Sequence, residues 1–135
     1  MAGLAVVVVA LVLLIVLLRR RHVVARVRGH SMAPTFHDGE RVVATRRRHY
    51  RVGDVIVFRP RSTATDVGWR IKRVAAVAGD PVPAWLAADH PVVPPGRVVV
   101  AGDNTGHSED SRQLGYIELA RVAGAVPHRP APAGS

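Results

Sequence analysis

The chain has 135 residues, enough for one domain with an attached segment, and carries 19 basic against 10 acidic residues for a formal net charge of +9. Its apolar fraction of 48% excludes a disordered basic tail, which would be poor in apolar residues. The absence of cysteine excludes a disulfide framework, a thiolate zinc site and a cysteine nucleophile, and 4% aromatic residues are too few for a platform on which single-stranded nucleic acid stacks.

The first predicted element is a membrane helix. Ala2–Leu18 is a run of 17 uncharged residues, near the lower limit for crossing a bilayer at about 1.5 Å per residue. It stops at Arg19-Arg20-Arg21, whose long side chains reach the headgroup layer. A cleaved signal peptide would carry its basic residues before the apolar run and a small-residue site after it; here the order is reversed. Residues 1–21 are therefore read as an uncleaved anchor. The positive-inside rule places the arginine triplet, and the chain that follows it, on the cytoplasmic side.

From residue 22 to 126 the pattern is that of a compact, mostly antiparallel β domain. Short valine-rich runs at Val23–Val27, Arg41–Thr45, Val55–Arg59, Arg70–Val77, Val98–Ala101 and Leu119–Val126 are separated by Gly, Pro and Asp. Asp38-Gly39 and Gly53-Asp54 are turn signals between such runs. Pro81–Arg97, with five prolines, reads as a connector or irregular loop, and residues 127–135 as a frayed tail.

Three clusters in this region carry chemistry. The first is Gly29-His30-Ser31-Met32-Ala33-Pro34-Thr35. A serine between a strand end and an X-Pro turn can expose its hydroxyl and leave its N–H free, and Gly29 permits the close backbone approach that such a site needs. A turn serine that bonds only its own backbone is the plainer reading of this cluster alone. The second surrounds Lys72, the single lysine among 18 arginines. A guanidinium keeps its proton in proteins, whereas a buried ammonium with a reference pKa of about 10.4 can lose it. Burial and repulsion from Arg70 and Arg73 both act in that direction; chance in an arginine-biased chain is the alternative. The third is Gly102-Asp103-Asn104 followed by Ser108-Glu109-Asp110-Ser111-Arg112, a turn rich in side-chain-to-backbone bonds in which Asp110 and Arg112 are spaced to pair.

Together these clusters resemble the type I signal peptidases, membrane-anchored serine endopeptidases, in a minimal form. Gly29–Thr35 is similar to that family's nucleophile box, Lys72-Arg73 with Gly79-Asp80 to its lysine box, and Gly102–Arg112 to its last box, in the family's order and behind an apolar anchor. The resemblance implies Ser31 as nucleophile, Lys72 as general base and Ser108 as the hydroxyl that orients the Lys72 amine. It implies structural pairs between Asp110 and Arg112 and between Arg73 and Asp103, and puts the Gly29 backbone on the oxyanion side. It further implies an antiparallel β fold, no cofactor, no metal, and preprotein substrates with small residues before the cut. The location implied is the plasma membrane, with a single pass through the lipid bilayer and the catalytic domain on the outer face, against the arginine flank.

This chain departs from the family in two places. A second oxyanion hydroxyl, present in some members two residues before the nucleophile, is replaced by Gly29, and only about 20 residues separate the lysine box from the last box. The main alternative function is a dedicated maturation protease of the kind that trims nickel-type superoxide dismutase, acting on the cytoplasmic face. A non-enzymatic alternative rests on Arg46-Arg47-Arg48 with Arg41, Arg51, Arg59 and Arg61, which could bind lipid headgroups or nucleic acid; nucleic acid is not the expected partner. His30 beside Ser31, and His107 with Asp110, offer weaker serine–histidine and metal readings.

Overall fold

A computed structural model of the chain describes residues 1–61 and 68–127. Helix α1 spans Ala2–Arg21, and none of its residues is buried. By length and composition it can cross a membrane. It ends where the arginines begin: the His22 N–H closes the last turn on Leu18 O, and His22 is already extended.

Strands β1 (His22–Arg26), β2 (Arg41–Thr45), β3 (Val55–Phe58), β4 (Arg70–Val77), β5 (Arg97–Ala101), β6 (Ile117–Glu118) and β7 (Val122–Ala125) form one sheet in the order β1-β2-β7-β3-β4-β5-β6. Its neighbours pair antiparallel. The expected runs are present with edges moved by a residue or so. The exception is the last, where Leu119–Arg121 forms a 3-10 turn and only Val122–Ala125 is strand. The Leu119 N–H donates to Gly96 O and the Arg59 N–H to Arg121 O, so that turn's hydrogen bonds go to loops and not to a ladder. Of the expected tail, only Pro127 lies within the described residues.

Strand β3 explains why the sheet has two packed faces. All four of its residues are buried, and their alternation sends Val55 and Val57 to one cluster and Ile56 and Phe58 to the other. The first cluster joins them to Ala25, Val27, Met32, Phe36 and Ile71; the second to Val74, Val98, Val100 and Val122. A strand buried on both sides reads as a continuous apolar run, as this one does. The proline-rich connector is more than a loop: Pro81 bridges to Val92, and Leu86 and Val93 pack with Ala76 and Val99 into a third, smaller core.

Strands β2 and β7 meet through a single register pair, Thr45 with Ala125, and next to it Gly124 lies against the Thr45 backbone. A Cβ on Gly124 would stand 2.5 Å from Thr45 C and 2.7 Å from Thr45 O, and backbone cannot swing away as a side chain can. Gly124→Ala should therefore lower the thermal midpoint by prying β2 from β7, at a cost of about 1–3 kcal/mol read by chemical denaturation. An unchanged midpoint would show that this close approach is not a constraint.

Candidate active site

Beyond β1 the chain turns sharply, with the Gly39 N–H donating to Val27 O and the Val27 N–H to Glu40 O closing the base of a loop. Gly29 takes φ +77° inside it and donates its N–H to Asp38 Oδ1 at 2.9 Å. Met32 and Phe36 plug the loop into the core, which fixes the half-buried Ser31 between them and the turn. The Ser31 N–H donates to no acceptor among the described residues.

Lys72 reaches this serine from β4. Its register partner on β3 is Ile56, so the two side chains share a face, and Lys72 is only 5% exposed. Its Nζ donates to Ser31 Oγ at 2.7 Å and to Ile71 O at 3.2 Å. Burial, with the positive charge of Arg70 adding to it, lowers the Lys72 pKa from 10.5 to about 8; the carboxylates of Asp110 and Glu109 oppose this. An amine and a hydroxyl thus stand in hydrogen-bond contact at the floor of a groove lined by Val27, Gly29, Trp69, Arg70, His107 and Glu109.

The third cluster holds the serine loop in place. The Asn104 N–H donates to Ser31 O at 2.8 Å and the Asn104 side-chain amide to His30 O at 3.0 Å. Asp103 accepts a bidentate pair from Arg73, 2.8 Å on each oxygen, and the Thr35 hydroxyl at 2.6 Å. Arg73 also donates to Gly53 O. Asp110 is fully buried and caps the one-turn helix α2 (Ser111–Leu114), forming a capping box with Gln113. It accepts from the Arg112 guanidinium at 3.0 and 2.9 Å and from the Gly102 N–H at 3.3 Å. Both expected ion pairs are formed, that of Asp110 with Arg112 at the start of a helix.

Ser108 stands apart. Its hydroxyl is buried and makes no hydrogen bond, to Lys72 or to any other described residue. It packs over Gly102, where a Cβ would overlap Ser108 Oγ and lie 2.8 Å from Ser31 O, so glycine is required there for the two segments to close. The sequence alone gives no part to Thr35, Asn104 or Trp69; the first two lie inside the first and third clusters, but no local signal marks Trp69 as groove lining. Among the described residues, no group of three or more His, Asp and Glu side chains could hold a metal ion.

Burial raises the pKa of both Asp103 and Asp110, but hydrogen bonds from Arg73 and Thr35 in one case, and from Arg112 and Gly102 in the other, outweigh it and hold both below the usual carboxylate value of 3.8. A depressed carboxylate pKa contributes stability above the unfolded value that is lost as pH falls through the folded one. The thermal midpoint should accordingly drop on acidification below about pH 4. Asp103→Asn should flatten that drop while destabilising the protein at pH 7 by roughly 3 kcal/mol, because Arg73 is left buried without its partner. An acid limb unchanged in the variant would exclude Asp103 as its source.

The chain as a whole is similar to known proteins. A family model described as signal peptidase, peptidase S26, matches residues 1–85 and 83–129. The chain is 37% identical over 116 residues to mitochondrial inner membrane protease subunit 2 of Danio rerio, covering 78% of this chain and 62% of that protein. It is 34% identical over 109 residues to the mitochondrial ATP-independent inner membrane protease subunit 1b of Arabidopsis thaliana, covering 73% and 63%. It is 30% identical over 124 residues to the probable signal peptidase I-1 of Synechocystis sp., covering 70% and 63%. The chain thus spans a little over three fifths of the length of each of these relatives.

Proposed function

The chain belongs to the signal peptidase family, peptidase S26, and on that premise we propose that it is a serine endopeptidase that removes N-terminal signal peptides from exported proteins. Residues 1–21 anchor it, residues 22–126 form the peptidase domain and residues 127–135 a tail. The observation that carries the reading is the 2.7 Å contact between Ser31 Oγ and the amine of a buried Lys72.

With its pKa near 8, Lys72 is neutral in roughly a tenth of molecules at pH 7, enough to act as a base. The neutral amine takes the Ser31 proton as Oγ attacks the scissile carbonyl. The resulting ammonium then returns the proton to the leaving amine, and Lys72, neutral again, activates the water that releases the acyl group from Ser31. The unengaged Ser31 N–H is the first donor for the oxyanion. Gly29 supplies room on that side and not its own N–H, which is held by Asp38. The unsatisfied Ser108 hydroxyl is available to orient the Lys72 amine when it releases Ser31. The Arg73–Asp103 and Asp110–Arg112 pairs hold the loops that carry these groups. No step asks for a metal or organic cofactor.

A substrate would lie extended in the groove between the Val27–Gly29 and Trp69–Ile71 segments, so that backbone bonds give affinity and shallow pockets admit small residues before the cut. The location proposed is the plasma membrane, single-pass, with the catalytic domain on the outer face. The arginines at 19–21 favour a second reading, a maturation protease with one dedicated substrate working on the cytoplasmic face. A reporter fused after Ser135 that is active only inside the cell would select it.

The primary test is cleavage of a precursor with an Ala-X-Ala site by purified protein in detergent, with the new N-terminus identified by mass. Ser31→Ala should abolish cleavage with the fold intact, and Lys72→Arg should lose at least about a hundredfold in kcat/KM, since a guanidinium keeps its proton. Substantial turnover by either variant would overturn the assignment.

The pH profile gives a second check. A base that works when neutral makes kcat/KM rise with pH and level off above about 8. Removing the negative charge of Glu109, which favours the ammonium, should move that limb to lower pH in Glu109→Gln. A limb that stays in place would mean that Lys72 is not the titrating group.

A further inference from the structure

Four of the arginines left over by this mechanism gather in one place. Arg20, Arg46, Arg59 and Arg121 line one groove together with Trp69 and a floor of small and apolar residues that includes Val23 and Val122. The groove lies where α1 passes into the sheet. Leu18 is the last apolar residue of the helix, and Arg20 follows about 3 Å further along the axis. The headgroup layer on each side of a bilayer is roughly 5–7 Å thick, so this groove stands within it when α1 spans. Trp69 at that depth has the amphipathic ring favoured at membrane interfaces.

The groove is built before any ligand arrives. The Arg46 N–H donates to Arg21 O at 2.8 Å, tying β2 to the helix end, and the Arg59 N–H donates to Arg121 O at 3.1 Å. The Arg59 guanidinium stacks on the Trp69 ring at 4.2 Å, which leaves the edge of its fork available to an acceptor. Among the described residues the acid paired with these arginines is Glu118, at 3.6 Å from Arg121, and it is shared with Arg61 at 3.1 Å. Arg20 and Arg46 have no acidic partner among the described residues. Four arginines around one groove with too few carboxylates fit a phosphate, which accepts bidentate bonds from arginine.

We propose that this groove binds the phosphate of an anionic phospholipid headgroup, clamping the β structure to the bilayer at a fixed rotation about α1. A phosphate source is at hand at this depth, and a zwitterionic headgroup would bring its own cation against the arginines. Trp69 also lines the groove that holds Ser31 and Lys72, so the lipid site and the candidate active site share a wall.

Two tryptophans are present, so Trp85→Phe leaves Trp69 as the reporter. Full-length protein in non-ionic micelles is titrated with short-chain phosphatidylglycerol and with phosphatidylcholine while Trp69 emission is followed. A saturable change with phosphatidylglycerol is expected, with phosphatidylcholine at least about tenfold weaker. Arg20→Gln combined with Arg46→Gln, both exposed positions, should weaken phosphatidylglycerol about thirtyfold without moving the thermal midpoint. The charge-matched pair Arg19→Gln with Arg48→Gln, outside the groove, should leave the affinity within about twofold. Equal losses in the two pairs, or no saturation, would overturn the site in favour of diffuse attraction. Inorganic phosphate that saturates the groove and displaces the lipid at equal concentration would overturn the lipid source in favour of a soluble anion.

Discussion

One amine buried without a carboxylate of its own is the constraint around which this structure is arranged. An ammonium in an apolar setting is expensive, and the usual remedy is an acid in direct contact. Lys72 instead touches a hydroxyl and a main-chain carbonyl. Of the two acids whose charge reaches it, Asp110 is taken by Arg112 and the backbone around it, and Glu109 makes no ion pair with it. Arginine suits that task because it never yields its proton and binds a carboxylate with a matching fork. Under the proposed mechanism the division of labour between 18 arginines and one lysine follows from this: fixed charges are assigned to guanidinium, and the one position whose charge is to be negotiable has an amine.

The same pairs do the architectural work. Asp103 ties β4 to the loop after β5 and, through Thr35, to the loop that carries Ser31. Asn104 then holds the Ser31 and His30 carbonyls. Residues more than 70 positions apart in sequence are therefore locked by polar contacts, while Met32 and Phe36 lock the same loop from the apolar side. Each anchor narrows the positions open to the loop, and together they keep Ser31 within hydrogen-bond reach of Lys72.

How much of this was legible beforehand depended on whether a feature was local. The strands were visible because β3 and β5 are short valine-rich runs and β4 is rich in β-branched and small apolar residues, each bounded by turn residues, a pattern that needs no partner to be read. The two-residue β6 was not, since Ile117-Glu118 becomes a strand only because β5 is beside it. The small core under the proline-rich connector was hidden for a like reason: Leu86 and Val93 follow no period, and their burial is created by β4 and β5. At the site, Ser31 and Lys72 stood out by type and by cluster. The engagement of the Gly29 N–H by Asp38 and the unpaired Ser108 hydroxyl did not, because both are consequences of how separate loops close. The stack of Arg59 on Trp69 was illegible for the same reason, as nothing in either neighbourhood names the other.

The junction between helix and sheet has a consequence of a different kind. Arg21 ends α1 and His22 begins β1, with the Arg46 N–H on Arg21 O and the His22 ring on the Thr45 hydroxyl bracing the corner. A protein hung from a flexible tether samples a hemisphere above the bilayer; one mounted on a braced corner behaves like a gauge set to a single height. On the proposed function, a substrate emerging from the same membrane would meet the groove at only one distance along its length. Reach above the lipid surface, as much as side-chain identity, would then decide which peptide bond is presented.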